Sequence, residues 1–201
     1  MNVEWLLIRG SGLAAFALLA MSVLWGLLLS TKALGRAAKP KPVTWFHESL
    51  SIGALVATVV HMVALGLHDF VDFTWAEIFV PGMAAWNSIA VALGVIGFYS
   101  LAVITVSFYV KPLIGQRAWR ALHTLSFGLY LAVLSHGIMA GTDTTHPAVA
   151  AMYAGFTMAT IILVTIRVSQ SVGASARAPR TGRVAPREPR SVEPAPLRIA
   201  R

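Results

Sequence analysis

Five long runs of apolar residues constrain the fold of this 201-residue chain more than any other feature. They cover positions 5–30, 43–68, 85–110, 119–140 and 147–169. A helix needs about 20 mostly apolar residues to cross a hydrocarbon core roughly 30 Å thick, and each run meets that length. Only 12% of the residues are charged, against about 25% in an average soluble domain. The sequence therefore predicts an all-α integral membrane protein, a bundle of about five transmembrane helices.

The connectors between these runs alternate in charge. The first and third are basic, the second and fourth contain Asp or Glu, and the tail is rich in Arg. Because basic loops are retained in the cytoplasm, we expect a multi-pass protein of the cell membrane with its N-terminus outside and its C-terminus in the cytoplasm. The net charge of +8 follows this topology, so the expected surroundings are membrane lipid and not nucleic acid.

The composition changes after the fifth run. We expect one transmembrane domain over residues 1–170 and a disordered, basic cytoplasmic tail over residues 171–201, because Arg, Pro, Ala and Ser bury too little apolar surface to offset the entropy of ordering. The stretch 70–84 is too short to span and is predicted to lie at the outer membrane interface. The chain has no cysteine, which excludes disulfides, iron–sulfur clusters and other thiolate sites.

Four histidines lie inside the predicted spans, where ionisable residues are expensive and mark candidate functional sites. His47 and His61 lie 14 positions apart in the second span, and His123 and His136 lie 13 apart in the fourth. At about 1.5 Å per residue, each pair is separated by roughly 20 Å along its helix. The histidines therefore form two layers, one in each leaflet.

The second and fourth spans run in the same direction in this topology. His47 then lies level with His123 near the cytoplasmic surface, and His61 lies level with His136 near the outer surface. Matched heights allow two helices each to give one imidazole to a single haem iron. Bis-histidine ligation leaves no open position and suits electron transfer. We therefore expect residues 1–170 to be a transmembrane haem-binding domain with two haem b groups.

Helical phase is favourable for one pair and strained for the other. Fourteen positions at about 100° each return His61 to within roughly 40° of the face of His47, whereas thirteen leave His136 some 140° from His123. The fourth span must therefore bend, unwind locally or carry a π-bulge, and Gly128 is the expected place.

Other interpretations of the histidines remain open. A zinc site is disfavoured, because the ligands of one metal cluster tightly and these layers are far apart. The chain is alternatively a non-redox membrane protein whose histidines bind neighbouring Ser, Thr or carbonyl groups.

The two histidine spacings, on helices separated by a histidine-free helix, resemble the ferric reductase-like transmembrane domain, the dihaem cytochrome b core of ferric reductases and NADPH oxidases. The likeness covers roughly residues 9–169. The entry to the second ligand helix of that family is also similar to the string Trp119-Arg120-Ala121-Leu122-His123.

This resemblance implies that His47 with His123, and His61 with His136, ligate two b-type haems. The chain departs from the family in two respects. Five spans are predicted where the family usually has six, so the first family helix has no counterpart among them, and we expect no flavin and NADPH domain of the kind found in the oxidases. No residue is predicted to be catalytic.

Haem propionates are carboxylates, and their burial calls for cationic partners. Arg9 lies one to two turns inside the outer end of the first span, and the resemblance also places an arginine in this region. We expect Arg9 to bind an outer propionate and Arg120, together with Arg117, to bind an inner one. Alternatively, Arg9 snorkels to the surface, and Arg117 and Arg120 only follow the positive-inside rule.

Three residues near the outer surface are further candidates. His68 and His146, with Asp143, are possible ligands of an outer metal acceptor such as ferric iron. His68, seven positions beyond His61 on a similar face, is also a possible replacement for a haem ligand. The alternative is that these side chains are simply solvated.

The sequence thus predicts an electron-transport protein, an oxidoreductase component without its own flavin or NAD(P)H domain. No glycine-rich phosphate-binding fingerprint is present, and too few residues follow position 169 for a nucleotide-binding domain. We expect a separate donor, a flavoprotein or a quinol, and an outer acceptor such as ferric iron, oxygen or a partner reductase. A second hypothesis is a haem-binding adaptor that resembles the membrane partner of bacterial methionine sulfoxide reductase.

Overall fold

The computed structural model describes residues 3–31, 40–68 and 73–177, and this part of the chain is all-α, without strands. The helices are α1 (Val3–Ser30), α2 (Pro40–Gly66), α3 (Trp75–Phe79), α4 (Ser88–Tyr109), α5 (Lys111–Thr124), α6 (Ser126–Ala140) and α7 (Pro147–Arg177). Among the described residues, five segments are long and apolar enough to cross a membrane, and α5 with α6 forms the fourth of them. The predicted all-α membrane bundle is confirmed.

Helix α1 is the centre of the bundle, because it packs along α2, α6 and α7, while α4 packs along α6. Phe16 lies midway along α1 and is only 2% exposed. Its ring meets that of Tyr153 edge-on, with centroids 4.7 Å apart, and its centroid lies 6.0 Å from those of Tyr130 and Phe156. Tilted aromatic contacts of this kind are favourable, and they join α1, α6 and α7 at mid-height.

The outward faces of the bundle are apolar. Val56 on α2 is 57% exposed, and Met158 and Ile162 on α7 are 60% and 51% exposed. Contiguous apolar surface of this extent is rare on soluble monomers and is the normal outer face of a membrane bundle. The structure is therefore that of a multi-pass membrane protein.

Charged side chains separate towards opposite ends of the bundle. Lys111, Arg117 and Arg120 lie where α4 ends and α5 begins, and Arg167 lies at the same end, because its guanidinium donates to the carbonyl of Ser30 at the end of α1. Glu77 and Asp143 lie in the connectors at the other end, and these two ends are called the basic end and the acidic end below. The basic residues at 32–41 have no described side chains, and Asp69 and Asp72 lie outside the described residues.

Two predicted boundaries are wrong. Positions 111–118 were predicted as a basic loop but form the first turns of α5, which is interrupted only by a non-helical Gly115. Lys, Leu, Gln, Arg and Ala in this stretch are good helix formers although they are not uniformly apolar. Helix α7 continues to Arg177, so the tail predicted from residue 171 begins no earlier than 178, because an established helix extends at low cost. The rest of the predicted disordered tail lies outside the described residues.

The connector between α2 and α4 is folded around one carboxylate in its described part. The Thr74 hydroxyl accepts the backbone N–H of Glu77, and the Glu77 carboxylate accepts the backbone N–H groups of Thr74, at 2.9 Å, and of Ala85, at 3.0 Å. This capping box begins α3. The Ala85 N–H, followed by the N–H and hydroxyl of Thr74, holds the pKa of Glu77 below its ordinary value of 4.5.

We predict that this connector loosens in acid. Because the pKa of Glu77 is lowered by folding, its stabilising contribution is present above pH 4.5 and is lost as the pH falls through the lowered value. Hydrogen exchange should show falling protection of the Thr74 and Ala85 amides in that window, and Glu77→Gln should weaken their protection at neutral pH. Glu4→Gln, at an exposed site in the first turn of α1, is the matched control. Equal protection in the wild type and in Glu77→Gln at neutral pH would contradict the prediction.

Candidate functional site

The four intramembrane histidines form two facing pairs. The ring centroids of His47 and His123 are 6.0 Å apart, and those of His61 and His136 are 6.5 Å apart. The ring planes are inclined by 70° and 79°. The structure therefore brings together the histidines that the sequence predicted to lie at matching heights. Helices α2 and α6 run in the same direction. The pair at the basic end is called the inner pair, and the pair at the acidic end the outer pair.

A gap separates the two helices that carry these rings. Helix α2 packs along α1, and α6 packs along α4, but α2 and α6 are not a closely packed helix pair in the described part of the chain. The imidazoles reach into this gap from both sides. Helices α2 and α6 are thus held apart at the heights of both histidine pairs, and a cavity is described at the outer pair.

The ring separations fit a metal ion held between two imidazoles. A metal–imidazole bond is about 2.0–2.1 Å long and the ring centre lies roughly 1.1 Å beyond the nitrogen, so rings on opposite sides of one ion have centres roughly 6.3 Å apart. The observed values lie on either side of this distance. No group of three or more His, Cys, Asp or Glu side chains suited to a metal is found among the described residues. A metal at either pair would therefore take two imidazoles, the number that a bis-histidine haem requires.

Backbone carbonyls fix the orientation of both outer imidazoles. Nδ1 of His61 lies 2.8 Å from the carbonyl oxygen of Ile8, and Nδ1 of His136 lies 2.7 Å from that of Ala90. A carbonyl only accepts, so Nδ1 donates and Nε2 of the neutral ring keeps the lone pair that binds a metal. Support of this kind at the second ring nitrogen is usual for metal-binding histidines.

A chain of two serine hydroxyl groups fixes the orientation of the His47 imidazole in the inner pair. Its Nδ1 lies 3.2 Å from the Ser22 hydroxyl, which lies 2.8 Å from the Ser51 hydroxyl, which donates to the backbone carbonyl of His47. With Nδ1 donating to Ser22 and Ser22 donating to Ser51, each proton in the chain has one acceptor. His47 then also presents Nε2 to the gap.

His123 is held by stacking. The ring of Trp119, one turn earlier on α5, lies nearly parallel to it, with centroids 5.1 Å apart and planes inclined by 22°. The ammonium of Lys111 lies 4.3 Å from the centre of the Trp119 ring, which is a cation–π contact. The inner pair is thereby connected through Trp119 to the basic end of the bundle.

Glycines make room for three of the four imidazoles. A Cβ atom on Gly94 would lie 2.7 Å from Cε1 of His136, and one on Gly12 would lie 3.1 Å from Cε1 of His61. On Gly26 the corresponding distance to His47 would be 3.4 Å. These three glycines are called the imidazole notches below.

Each notch follows the hydrogen-bond partner of its histidine by four positions, which is about one helical turn. The three combinations of partner and notch are Ile8 with Gly12, Ser22 with Gly26, and Ala90 with Gly94. Sequence reasoning missed all six residues. The available signal was that the notches on α1 are 14 positions apart, the same spacing as the histidines on the antiparallel α2.

A distortion is present between His123 and His136, but it is a tighter turn and not the predicted unwinding or π-bulge, and the predicted place is wrong. It lies at Leu125, where α5 ends and α6 begins, and not at Gly128, around which the space is open. The backbone N–H of Leu125 donates to the carbonyl of Leu122, 3.0 Å away, which is the tighter 3₁₀ pattern. Tighter winding turns the chain further per residue, and this rotates His136 towards the face that carries His123.

A cavity of about 510 Å³ surrounds the outer pair. This volume lies within the range of about 300–1,000 Å³ that is typical of pockets for organic ligands. Its wall is mainly apolar and includes Phe16, Val95, Leu101 and Val133 together with His61 and His136. The polar side chains Arg9, Asp143 and Thr144 also line it.

Arg9 reaches this wall, as the sequence suggested, but its guanidinium is already paired. Its Nε and one terminal nitrogen donate to the two carboxylate oxygens of Asp143, and both side chains are partly buried. The partner of Arg9 in the described structure is therefore Asp143, 134 positions away in sequence. Its role towards a propionate stays a prediction.

The remaining candidates are not brought together. Arg120 is exposed on α5, one turn before His123. His68 is buried and packs against the ring of Trp5, with centroids 5.9 Å apart, while His146 is exposed just before α7. With Asp143 bound to Arg9, His68 and His146 form no metal-binding group with it among the described residues.

Comparison of the chain with protein-family models, with curated proteins and with solved structures finds no match. The ferric reductase-like resemblance therefore rests on the histidine spacings and the residues around them.

We predict that Gly94→Ala disturbs the outer pair. The added Cβ would lie 2.7 Å from both Cε1 and Nδ1 of His136, so the ring must shift and its bond to Ala90 must weaken. Overpacking of this kind costs about 1–3 kcal/mol. Thermal unfolding in detergent should show a lower midpoint than that of the wild type.

Gly155→Ala is the matched control, because Gly155 lies inside α7 with nothing within 4 Å of an added Cβ. Alanine is favoured over glycine inside a helix by about 0.5–1 kcal/mol, so this variant should unfold at the same temperature as the wild type or higher. Equal midpoints for the two variants would show that Gly94 is not a notch for His136.

Proposed function

We propose that this chain is a transmembrane electron-transfer protein that holds two b-type haems, one between His47 and His123 and one between His61 and His136. The observation that carries the proposal is the presence of two facing imidazole pairs, with ring separations of 6.0 and 6.5 Å, across a gap between α2 and α6. The cavity around the outer pair gives further support, because an isolated metal ion needs no space of this volume.

A bound haem supplies one-electron redox chemistry. The chain contributes the surroundings of that group. The carbonyls of Ile8 and Ala90 and the hydroxyl of Ser22 hold Nδ1 as a donor, so that Nε2 is available as ligand at three positions. Two imidazoles would hold each haem, an arrangement that favours electron transfer over the binding of an external ligand. The wall around the outer pair is mainly apolar.

Electrons enter in this proposal at the inner pair and leave at the outer pair. A separate donor, a flavoprotein or a quinol, gives up one electron at a time, and a one-electron acceptor at the outer face takes it up. No covalent bond is made or broken in the chain. Trp119, stacked on His123 and leading to the basic end, is the element of the inner pair that is nearest to such a donor. The overall activity is that of a ferric reductase-like electron-transfer domain.

We predict that the purified full-length chain carries about two non-covalent haems, measured as the pyridine haemochrome. His61→Ala should lower the content to about one haem, because each site depends on its own imidazole pair and the layers are roughly 20 Å apart. His146→Ala is the control, since that exposed ring lies outside both pairs. In vesicles with trapped ferricyanide and external dithionite, the wild type should transfer electrons across the bilayer and His61→Ala should not.

Haem-free protein from haem-replete cells would overturn the proposal and favour structural histidines. Two haems and full electron transfer in His61→Ala would show that His61 is not a ligand, and His68 would be the next residue to test.

We also predict that the basic end faces the cytoplasm. Lys111, Arg117, Arg120 and Arg167 lie at that end, and Glu77 and Asp143 lie at the other, so the positive-inside rule places the C-terminus in the cytoplasm. A green fluorescent protein fused to the C-terminus should fluoresce, and an alkaline phosphatase fused there should be inactive. The opposite pattern would reverse the assignment of the inner and outer pairs.

A further inference from the structure

Arg9 and Asp143 form a bidentate ion pair in the wall of the cavity that surrounds His61 and His136. Two parallel N–H···O contacts fix the planes of both groups, so this is a specific pair and not a loose surface contact. Both side chains are partly buried. Water and salt therefore screen the two charges less than they screen charges at the surface.

The ion pair also connects the two helices that flank the outer pair. Arg9 follows Ile8, whose carbonyl holds His61, and lies three positions before the notch Gly12. Asp143 lies three positions beyond the end of α6, the helix that carries His136. The two charges are thus held next to the support of His61 and near the end of the helix that carries His136.

We infer that Asp143 is a positioning residue that sets the reduction potential of the outer haem by neutralising Arg9. This inference rests on the proposed function. A fixed positive charge beside a redox centre in an apolar wall favours the reduced form, which carries one more electron. The carboxylate of Asp143 cancels most of that effect. The outer site is therefore a stronger reductant than it would be next to an unpaired arginine, and it passes its electron outward more readily.

Three variants test this inference: Asp143→Asn, Arg9→Gln and the double variant. Each replacement removes one charge; Asn matches Asp in size, and Gln keeps an amide N–H donor in place of the larger guanidinium. Redox titration of the full-length protein should show a higher outer potential in Asp143→Asn and a lower one in Arg9→Gln. Each shift should be on the order of tenfold in the reduction equilibrium, or about 59 mV for a one-electron couple. The double variant should lie close to the wild type.

Two controls distinguish an effect of the charge on the outer reduction potential from an effect of the substitution on the structure. The inner haem, at the other end of the bundle, should keep its potential in all three variants. Glu4→Gln removes the same charge from the same end, and Glu4 lies at an exposed site in the first turn of α1. This variant should leave the outer potential near that of the wild type, because the effect of an exposed charge is screened.

The outcomes distinguish the two proposals. Opposite shifts confined to the outer haem and cancelled in the double variant support the inference. Two haems with an unchanged outer potential in every variant, or shifts of the same sign in the two single variants, overturn it and leave the proposed function intact. Loss of the outer haem in Asp143→Asn that the double variant does not restore also overturns it, since Asp143 would then be needed for structure alone. A wild-type chain without haem refutes the proposed function as well.

Discussion

An imidazole within hydrocarbon needs a partner at both ring nitrogens, because an unpaired polar group there costs several kcal/mol. The chain satisfies Nδ1 at three of its four intramembrane histidines with groups from a neighbouring helix. This requirement dictates much of the packing. Helix α1 must lie close along α2, and α4 close along α6, so that an acceptor and a glycine meet each of these three rings. Because α2 lies against α1 and α6 lies against α4, a gap remains between α2 and α6.

The two pairs differ in how they are supported. The outer pair is held by two backbone carbonyls, whose positions are fixed by the helices to which they belong, and it is surrounded by an apolar cavity. The inner pair uses the hydroxyl of Ser22 and the ring of Trp119, side-chain groups nearer to the basic end. Within the proposed function, this asymmetry separates a site that exchanges electrons with a donor from a site that delivers them outward.

The five membrane-spanning segments could be predicted from the sequence, because the length of each apolar run alone determines them. The helix over positions 111–118 could not, because a stretch that mixes Lys, Gln and Arg with Leu and Ala has good helix propensity but lacks the apolar run of a span. Helical phase required a distortion before His136 but could not distinguish Gly128 from Leu125, since a 3₁₀ hydrogen bond needs no special residue. The heights of the four histidines were predictable from the helical rise. The pairing of Arg9 with Asp143 was not, because it depends on how α1 packs beside the end of α6.

The two notches on α1 have the same spacing as the two histidines on α2, and this match fixes the length of α1 between Gly12 and Gly26. One residue inserted between Gly12 and Gly26 would turn one notch by about 100° away from its imidazole, whatever the inserted residue is. Four inserted residues would nearly restore the phase but would move one notch along the axis by about 6 Å, away from the height of its ring. The stretch between the two glycines is therefore open to apolar replacement along its lipid-facing side and closed to insertion and deletion. Length, more than composition, is what this part of the chain has to preserve.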